Sequence, residues 1–374
     1  MTKPEYDSST PVAARTTIEA RREPLRQAFV DAGLVAVLTD APPDILYYTG
    51  CPDIVGYLLL TAAGQSWLLT SAHDAPQAAS VCVETDVAVW RPGENPIAIL
   101  SERLTGLATG GLGVVSLPAS VFVSLGAAGI SACPTPGLTA ALRRFKEPGE
   151  LDLIRHAARI VEAGMGAARS VLRPGIRESQ VEDAASAAMR DLGQDGWLFK
   201  AKIESGWRSA WPSVYASDKE IAAGDLVLID LGPTYRGYYG DLTRTFVLGE
   251  PSPDQRRLLE TVLHAQAAAI AAVRPGATGR QVDAAARDVL TAAGYGDRFL
   301  HHTGHTLGLA GDGSPSVAPD GDLPLLAGEC ITIEPGAYLP DLGGCRIEDE
   351  ILVTPDGPEL LTNFPRRLDD LILT

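Results

Sequence analysis

Acidic residues beside apolar stretches constrain the fold of this chain more than any other sequence feature. Asp230 ends an apolar run, residues 226–229, that predicts a buried strand, and Asp241 lies among Tyr, Thr and Phe residues that favour another strand. Glu334 ends one further strand candidate, and Glu348 lies within another. A buried carboxylate is unfavourable unless it is paired or bound to a cation, and four that converge repel one another. The fold must therefore supply positive charge where these acids meet.

Divalent cations would supply that charge. A hairpin through Gly232-Pro233 and Gly237 is expected to bring Asp230 and Asp241 together. Oxygen ligands with one imidazole suit manganese, cobalt, iron or zinc, and we expect manganese first. For any single acid, a salt bridge or a helix cap explains the sequence equally well, but five such residues in this order favour two divalent metal ions. The predicted ligands are Asp230, Asp241, His305, Glu334 and Glu348.

An internal repeat organises the second half of the chain. The Arg-Pro-Gly of 173–175 and the Gln-Val-Glu of 180–182 recur as the Arg-Pro-Gly of 274–276 and the Gln-Val-Asp of 281–283, displaced by 101 residues. Such self-similarity predicts two related αβ halves that share a sheet. The predicted ligands are divided between the halves, so the site is expected where the two halves meet.

The chain is long enough for two domains. Residues 1–17 read as a polar tail, and alternating strand and helix patterns predict an α/β domain over 18–140. Within it, strand-like segments at 57–60 and 67–70 predict a hairpin. Turn residues then mark a boundary, and the second domain is predicted over 146–374.

Composition restricts partners and location. The formal net charge of −16 disfavours nonspecific binding to nucleic acid or to an anionic membrane surface. The five cysteines are odd in number and lack CxxC spacing, which indicates reduced thiols. No segment resembles a signal peptide or a membrane span. We therefore expect a cytoplasmic protein without nucleic-acid or membrane partners.

The five acidic and histidine motifs resemble those of the pita-bread metallopeptidases, the family of prolidase, aminopeptidase P and methionine aminopeptidase. The separations between them resemble prolidase most. The motifs are Ile229-Asp230-Leu231-Gly232, Asp241-Leu242-Thr243-Arg244-Thr245, Gly304-His305, Ile333-Glu334-Pro335-Gly336 and Arg346-Ile347-Glu348-Asp349. The resemblance implies an α/β fold: a creatinase-like N-terminal α/β domain and a duplicated C-terminal domain with a curved, mostly antiparallel sheet. It also implies a homodimer.

The same resemblance implies residue roles. Asp230 would bind one ion, His305 and Glu334 the other, and Asp241 and Glu348 would bridge both. The implied reaction is that of an Xaa-Pro dipeptidase or aminopeptidase P, in which a hydroxide bridging two metals attacks an amide carbonyl of a small peptide or peptide-like substrate.

Further roles follow from the resemblance. Glu334 is expected to act as a general base. His301 is expected to be a catalytic residue that contacts the substrate, and Tyr338 is expected to bind the substrate. Thr243 and Arg346 are expected to hydrogen-bond the ligating carboxylates, with Arg346 also binding the substrate.

Two positions depart from the family pattern. Ser213 and Asp312 stand where the peptidases usually have histidines, and an aspartate at its ordinary pKa replaces an imidazole poorly near pH 7. Asp312 is instead expected to recognise a cationic substrate group, and Trp207 and Trp211 to line an aromatic pocket near Ser213. These departures keep a second hypothesis open, a lyase or a hydrolase of a small non-peptide substrate. A nonenzymatic binder of the same fold is a third.

Overall fold

The computed structural model describes residues 12–107, 110–309 and 313–374, and the chain divides into two compact units between Arg143 and Arg144. No described helix combines the length and the hydropathy that a bilayer-spanning segment requires. Each unit has its own core, as the sequence predicts from the chain length.

Strands and helices alternate along the first unit. Its helices are α1 (Arg15–Ala32), α2 (Pro42–Thr49), α3 (Ala75–Val81), α4 (Pro96–Thr105), α5 (Ala119–Ala127) and α6 (Leu138–Leu142). Its strands are β1 (Leu34–Thr39), β2 (Gly56–Thr61), β3 (Ser66–Ser71), β4 (Asp86–Trp90), β5 (Gly111–Ser116) and β6 (Ala132–Pro134).

The described strands of this unit form one mixed sheet in the order β4-β3-β2-β1-β5-β6. The predicted hairpin is confirmed, because β2 and β3 pair antiparallel with Leu58 opposite Leu68. Strands β1 and β5 are parallel. Leu38, Leu59 and Leu69 are fully buried in the core beneath the sheet, which explains why these strands read as apolar runs.

The second unit contains long helices and shorter strands. Its helices are α7 (Pro148–Val171), α8 (Glu178–Asp191), α9 (Pro253–Ala272), α10 (Gly279–Ala292) and α11 (Leu368–Leu371), with short 3-10 helices at Gly206–Ala210 and Gly296–Arg298. Its strands are β7 (Gly196–Ser205), β8 (Leu226–Tyr235), β9 (Tyr238–Tyr239), β10 (Leu242–Leu248), β11 (Cys330–Ile333), β12 (Gly336–Leu339), β13 (Gly343–Arg346), β14 (Asp349–Thr354), β15 (Gly357–Leu360) and β16 (Ile372–Leu373).

Antiparallel pairing dominates the sheets of this unit, as predicted. Strands β7, β8 and β10 are antiparallel neighbours, and β16 joins β10 in parallel. Strand β14 lies between β11 and β15, and β12 pairs with β13. Backbone hydrogen bonds such as Glu348 N to Thr243 O, at 3.1 Å, connect the segment between β13 and β14 to β10. The acidic residues at the strand ends are thereby drawn to one region.

The internal repeat predicted from the sequence is confirmed by the helices. Helix α8 begins at Glu178 and helix α10 at Gly279, a displacement of 101 residues. The repeated glycines Gly175 and Gly276 both have φ of +85°, and each donates its N–H to a carbonyl at 2.8 Å, that of Ile221 or Leu325. The two halves therefore share local geometry as well as sequence.

A buried ion pair joins the sheet to the C-terminal segment. Arg244 on β10 is fully buried and donates from Nη2 to Asp349 Oδ1 at 2.8 Å and to the Phe364 carbonyl at 2.7 Å. Asp349 also accepts from Gln266 Nε2 at 2.8 Å and from Thr362 Oγ1 at 2.9 Å. Arg366 Nη1 also lies 3.1 Å from Asp349 Oδ2, but its side chain is 32% exposed, so removing Arg244 deprives Asp349 of its fully buried charge partner.

We predict that Arg244→Met lowers the free energy of unfolding of the metal-free protein by about 3–5 kcal/mol, because Asp349 loses its fully buried charge partner. The control is Arg280→Met, which breaks the pair with Asp322 in which both side chains are more than half exposed, and it should change stability by less than about 1 kcal/mol. Urea denaturation measures both. Equal losses in the two variants would show that the buried pair does not stabilise the fold.

Candidate metal centre

Three of the four predicted acidic ligands lie just beyond the ends of strands. Asp230 is within β8, but Asp241 precedes β10, Glu334 follows β11, and Glu348 lies between β13 and β14. Glu334 comes directly after its strand, as the sequence indicates, but Asp241 and Glu348 lie just outside the strands in which they were expected. Side chains at strand ends leave the regular alternation of the sheet, which lets them turn toward a common centre.

The turn between Asp230 and Asp241 also differs from the prediction. Gly232 and Pro233 continue β8, and the chain turns at Arg236 and Gly237, which have φ of +52° and +84°. Two successive residues with positive φ are typical of a tight hairpin turn. Gly237 belongs to the predicted hairpin, but arginine is an uncommon residue in that conformation, so the sequence did not indicate Arg236 as the other turn residue. The hairpin itself is present, since β8 pairs with β9 and β10.

The ring of His305 is oriented by its backbone surroundings. Its Nδ1 lies 2.9 Å from the Thr306 carbonyl, so Nδ1 donates and Nε2 keeps its lone pair. Nε2 lies 3.6 Å from Asp241 Oδ2 and 3.4 Å from Glu334 Oε1. The preceding residue must be glycine, because a Cβ on Gly304 would lie 1.9 Å from the Thr332 carbonyl oxygen. This close packing holds the histidine beside β11.

Asp241, His305 and Glu348 form the most compact part of the centre. Each offers one ligand atom, and these atoms all lie within 4.8 Å of one another. Glu348 Oε2 accepts from Thr243 Oγ1 at 2.6 Å, as expected of Thr243, while Glu348 Oε1 is buried without a hydrogen-bond partner among the described residues. Glu334 lies next to this group through its contact with the histidine.

The electrostatics of this group are those of a site that lacks positive charge. Burial, and then the charge of Glu348, raise the pKa of Asp241 well above its ordinary value. Burial, and then the charge of Glu334, do the same for the pKa of Glu348. Glu348 offers a carboxylate oxygen without a partner among the described residues, and His305 offers an imidazole lone pair. Together with the neighbouring acids, these atoms form the donor set of an oxygen-rich cation site. The residues therefore fit a divalent ion.

Asp230 is in a different environment. Its Oδ2 accepts from Arg346 Nη2 at 2.6 Å and from Lys202 Nζ at 2.8 Å. Although burial raises the pKa of Asp230, the charges of Lys202 and Arg346 outweigh that effect, and the pKa is lowered overall. Asp230 Oδ1 has no hydrogen-bond partner in the described part of the chain. The negative charge of Asp230 is already balanced by side chains.

A chain of hydrogen bonds connects Arg346 to the predicted substrate residues. Arg346 Nη1 donates to Tyr338 Oη at 2.6 Å, and Tyr338 Oη lies 2.9 Å from His301 Nε2. His301 Nδ1 is 2.8 Å from the His302 carbonyl, so Nδ1 donates and Nε2 accepts from the tyrosine. Burial lowers the pKa of His301 to about 4, which leaves the imidazole neutral near pH 7.

The remaining predicted residues are less closely associated with the centre. Ser213 and Trp211 are exposed, and Trp211 meets Trp207 edge to face with ring centroids 4.8 Å apart. The neighbouring Pro212 carbonyl accepts from Arg346 Nη1 at 3.3 Å, which connects this loop to the arginine. Asp312 lies outside the described residues.

Sequence reasoning missed three charged residues of the centre. Lys202 and Glu204 lie two residues apart on β7, and Glu350 lies two residues after Glu348. A spacing of two within β7 places Lys202 and Glu204 on one face of the strand, a signal that could have indicated these two residues. Burial raises the pKa of Glu204 to about 8, and Glu350 Oε1 accepts from the Asp241 backbone at 2.6 Å.

Comparisons with known proteins agree with this architecture. The model of metallopeptidase family M24 matches residues 152–355, and that of the creatinase/prolidase N-terminal domain matches residues 21–144. The chain is 34% identical over 361 residues to the probable dipeptidase PepE of Mycobacterium tuberculosis, covering 94% of this chain and 96% of that one.

Two further relatives are prolidase-like. The chain is 42% identical over 227 residues to the Xaa-Pro dipeptidase of Pyrococcus furiosus. The aligned segment covers 61% of this chain and 65% of that protein, just under two thirds of its length. The solved Xaa-Pro dipeptidase from Bacillus anthracis superposes with a TM-score of 0.88 at 33% identity, covering 96% of this chain and all of that one. The predicted resemblance is thus confirmed: the chain belongs to metallopeptidase family M24, a family of metal-dependent hydrolases, and carries the creatinase/prolidase type of N-terminal domain.

Proposed function

We propose that this protein is a metal-dependent peptidase that hydrolyses the bond between a residue and a following proline in a small peptide. The observation that carries the proposal is the convergence of Asp241, His305 and Glu348, with one buried glutamate oxygen lacking a partner among the described residues. Relatives named Xaa-Pro dipeptidase support the substrate class. A homodimer, as the resemblance implies, and a cytoplasmic location remain predictions.

The ion site that we propose uses Asp241, His305, Glu334 and Glu348. A divalent ion bound there would supply a nucleophilic water near neutral pH and polarise the amide carbonyl. Three carboxylates and one imidazole suit manganese, our first expectation, as well as cobalt, iron or zinc. The sequence predicted two ions and included Asp230 as a ligand. Asp230 differs from the other acids because two cationic side chains already share its Oδ2 atom.

Glu334 is the residue best placed to accept a proton from the attacking water. Its carboxylate lies beside the imidazole of His305 and is less buried than the other acids, so it can face both the ion and the substrate. We assign His301 a different role. Its neutral ring accepts from Tyr338 and has a lowered pKa, so it orients the tyrosine rather than donating a proton at pH 7.

A second function stays open because the centre differs in charge from the family pattern. Ser213 stands where a histidine is usual, and Asp312 stands at the second such position. Glu204 accepts from the Val214 backbone at 3.0 Å and so brings a buried carboxyl next to Ser213. A lyase, or a hydrolase of a small non-peptide substrate, would use the same ion and a different proton donor. A nonenzymatic binder is disfavoured because all four acidic residues and the histidine are retained.

Hydrolysis of Xaa-Pro dipeptides is the reaction that follows from the proposed function. After exchange of bound metal for Mn²⁺, we expect the protein to hydrolyse Xaa-Pro dipeptides and to lose that activity when a chelator removes the ion. Release of free proline measures the turnover, and matched dipeptides with alanine in place of proline are the control. Turnover restricted to non-proline or non-peptide amides would contradict the substrate assignment while leaving the ion site intact.

A separate prediction concerns the ligands. Asp241→Ala should weaken Mn²⁺ binding by more than about 100-fold, since changes at residues that only hydrogen-bond a ligand already weaken affinity by roughly 10–100-fold. The control is Asp44→Ala, which removes a buried aspartate paired with Arg143 in the first unit. Equilibrium dialysis with metal analysis gives both affinities. Retention of Mn²⁺ by Asp241→Ala would show that the ligand set is wrong.

Another prediction concerns pH. The pKa of Asp241 and that of Glu348 are raised in the folded protein. In the absence of metal, the protonated forms therefore stabilise the fold at acidic pH. This stabilisation is lost as the pH rises from about 4, the pKa of the unfolded chain, through the raised pKa of the folded protein. Mn²⁺ competes with those protons. Thermal denaturation should therefore show a larger Mn²⁺-induced increase in Tm at pH 8 than at pH 5.5. An increase independent of pH would contradict the assignment.

A further inference from the structure

Lys202 extends from β7 directly toward Asp230. The two residues are opposite each other in the antiparallel register of β7 and β8, and Thr243 is opposite Asp230 on the other side. The Lys202 ammonium lies 2.8 Å from Asp230 Oδ2, and its Nζ is 4.2 Å from the centre of the Phe199 ring. Its side chain is 17% exposed. A carboxylate and an aromatic face thus hold this cation in a largely enclosed position.

The charge around Asp230 leaves little attraction for a divalent ion. Lys202 and Arg346 both donate to the same oxygen of Asp230, and Arg346 Nε also lies 4.0 Å from Glu334 Oε2, so two positive charges already face this carboxylate. Only Oδ1 of this residue lacks a hydrogen-bond partner within the described chain. An ion bound there would have one oxygen from Asp230 and would be repelled by an ammonium held at the same carboxylate.

The compact group at Asp241, His305 and Glu348 has the opposite balance. No lysine or arginine among the described residues forms an ion pair with the carboxylates of Asp241 or Glu348, and these two acids and His305 each place one ligand atom within 4.8 Å of the others. The protein therefore supplies positive charge beside Asp230, whereas the group of Asp241, His305 and Glu348 needs positive charge from a bound cation.

We propose that the Lys202 ammonium takes the place of a second divalent ion beside Asp230, so that the centre binds a single ion through Asp241, His305, Glu334 and Glu348. This inference rests on the proposed ion site and changes its composition. An ammonium supplies a fixed charge and N–H donors but does not bind a nucleophilic water. Water activation would then depend on one ion, with Lys202 and Arg346 keeping Asp230 charged and oriented.

The test is a Mn²⁺ titration of the full-length, metal-depleted protein. Calorimetry and metal analysis give the number of ions bound, and electron paramagnetic resonance distinguishes an isolated Mn²⁺ from an exchange-coupled pair. We expect one equivalent per chain and the spectrum of an isolated ion. Two equivalents with a coupled spectrum would overturn the inference and leave the proposed function standing. Binding of no ion would remove the site itself, and the proposed function with it.

Lys202→Met and Lys200→Met provide the matched variants. Lys202→Met frees Asp230 from the ammonium, and we expect the stoichiometry to rise from one to two with the appearance of exchange coupling. Lys200→Met removes an exposed lysine of the same strand and should stay at one equivalent. If correctly folded Lys202→Met, checked by circular dichroism, binds one ion, the lysine does not exclude the second and the inference is wrong. If the variant does not fold, the stoichiometry of the unaltered protein still decides.

Discussion

Electrostatic repulsion among buried carboxylates is the constraint on which the rest of this centre depends. Asp241 and Glu348 are buried, and besides burial the charge of Glu348 raises the pKa of Asp241 while that of Glu334 raises the pKa of Glu348. Folded proteins tolerate such a group of acids only where protons or cations compensate the charge. Neither acid forms an ion pair with a described lysine or arginine. Asp230 is compensated from within by Lys202 and Arg346. The site is thus divided into a part that the protein neutralises and a part that it leaves to an external ion.

The positions of the strand ends produce this division between Asp230 and the other acids. The repeat of 101 residues builds two halves with similar helices, and the strands of both halves deliver acids to one region. Asp241, Glu334 and Glu348 lie outside the regular strands, where side-chain direction is not fixed by the pleat. Asp230 lies within β8, so its neighbours are set by register, and that register places Lys202 beside it. The buried pair of Arg244 and Asp349 anchors the adjacent strands.

Much of the fold could be predicted because its signals are local. The hairpin of β2 and β3 follows from turn residues between apolar runs, and the start of α9 follows from the cap at Ser252, whose Oγ accepts from Gln255 N. Gly237 was predicted in the hairpin after β8, but Arg236 was missed as its neighbour in the turn because positive φ in an arginine has no sequence signal. Lys202 was missed because its partner depends on the pairing of β7 with β8, which is interrupted by register shifts. Long-range register of this kind is set by packing, not by local pattern.

Arg346, Tyr338 and His301 form a hydrogen-bonded network beside the proposed ion site. The network is held by hydrogen bonds and does not require any of its residues to change protonation state near neutral pH. The central claim is that an external cation neutralises the acids at Asp241 and Glu348. Anomalous diffraction at the manganese edge, from crystals of the full chain grown with Mn²⁺, tests it most directly. We expect an anomalous peak within coordination distance of Asp241, His305, Glu334 and Glu348. Ordered density for these four side chains with no anomalous peak between them would contradict it.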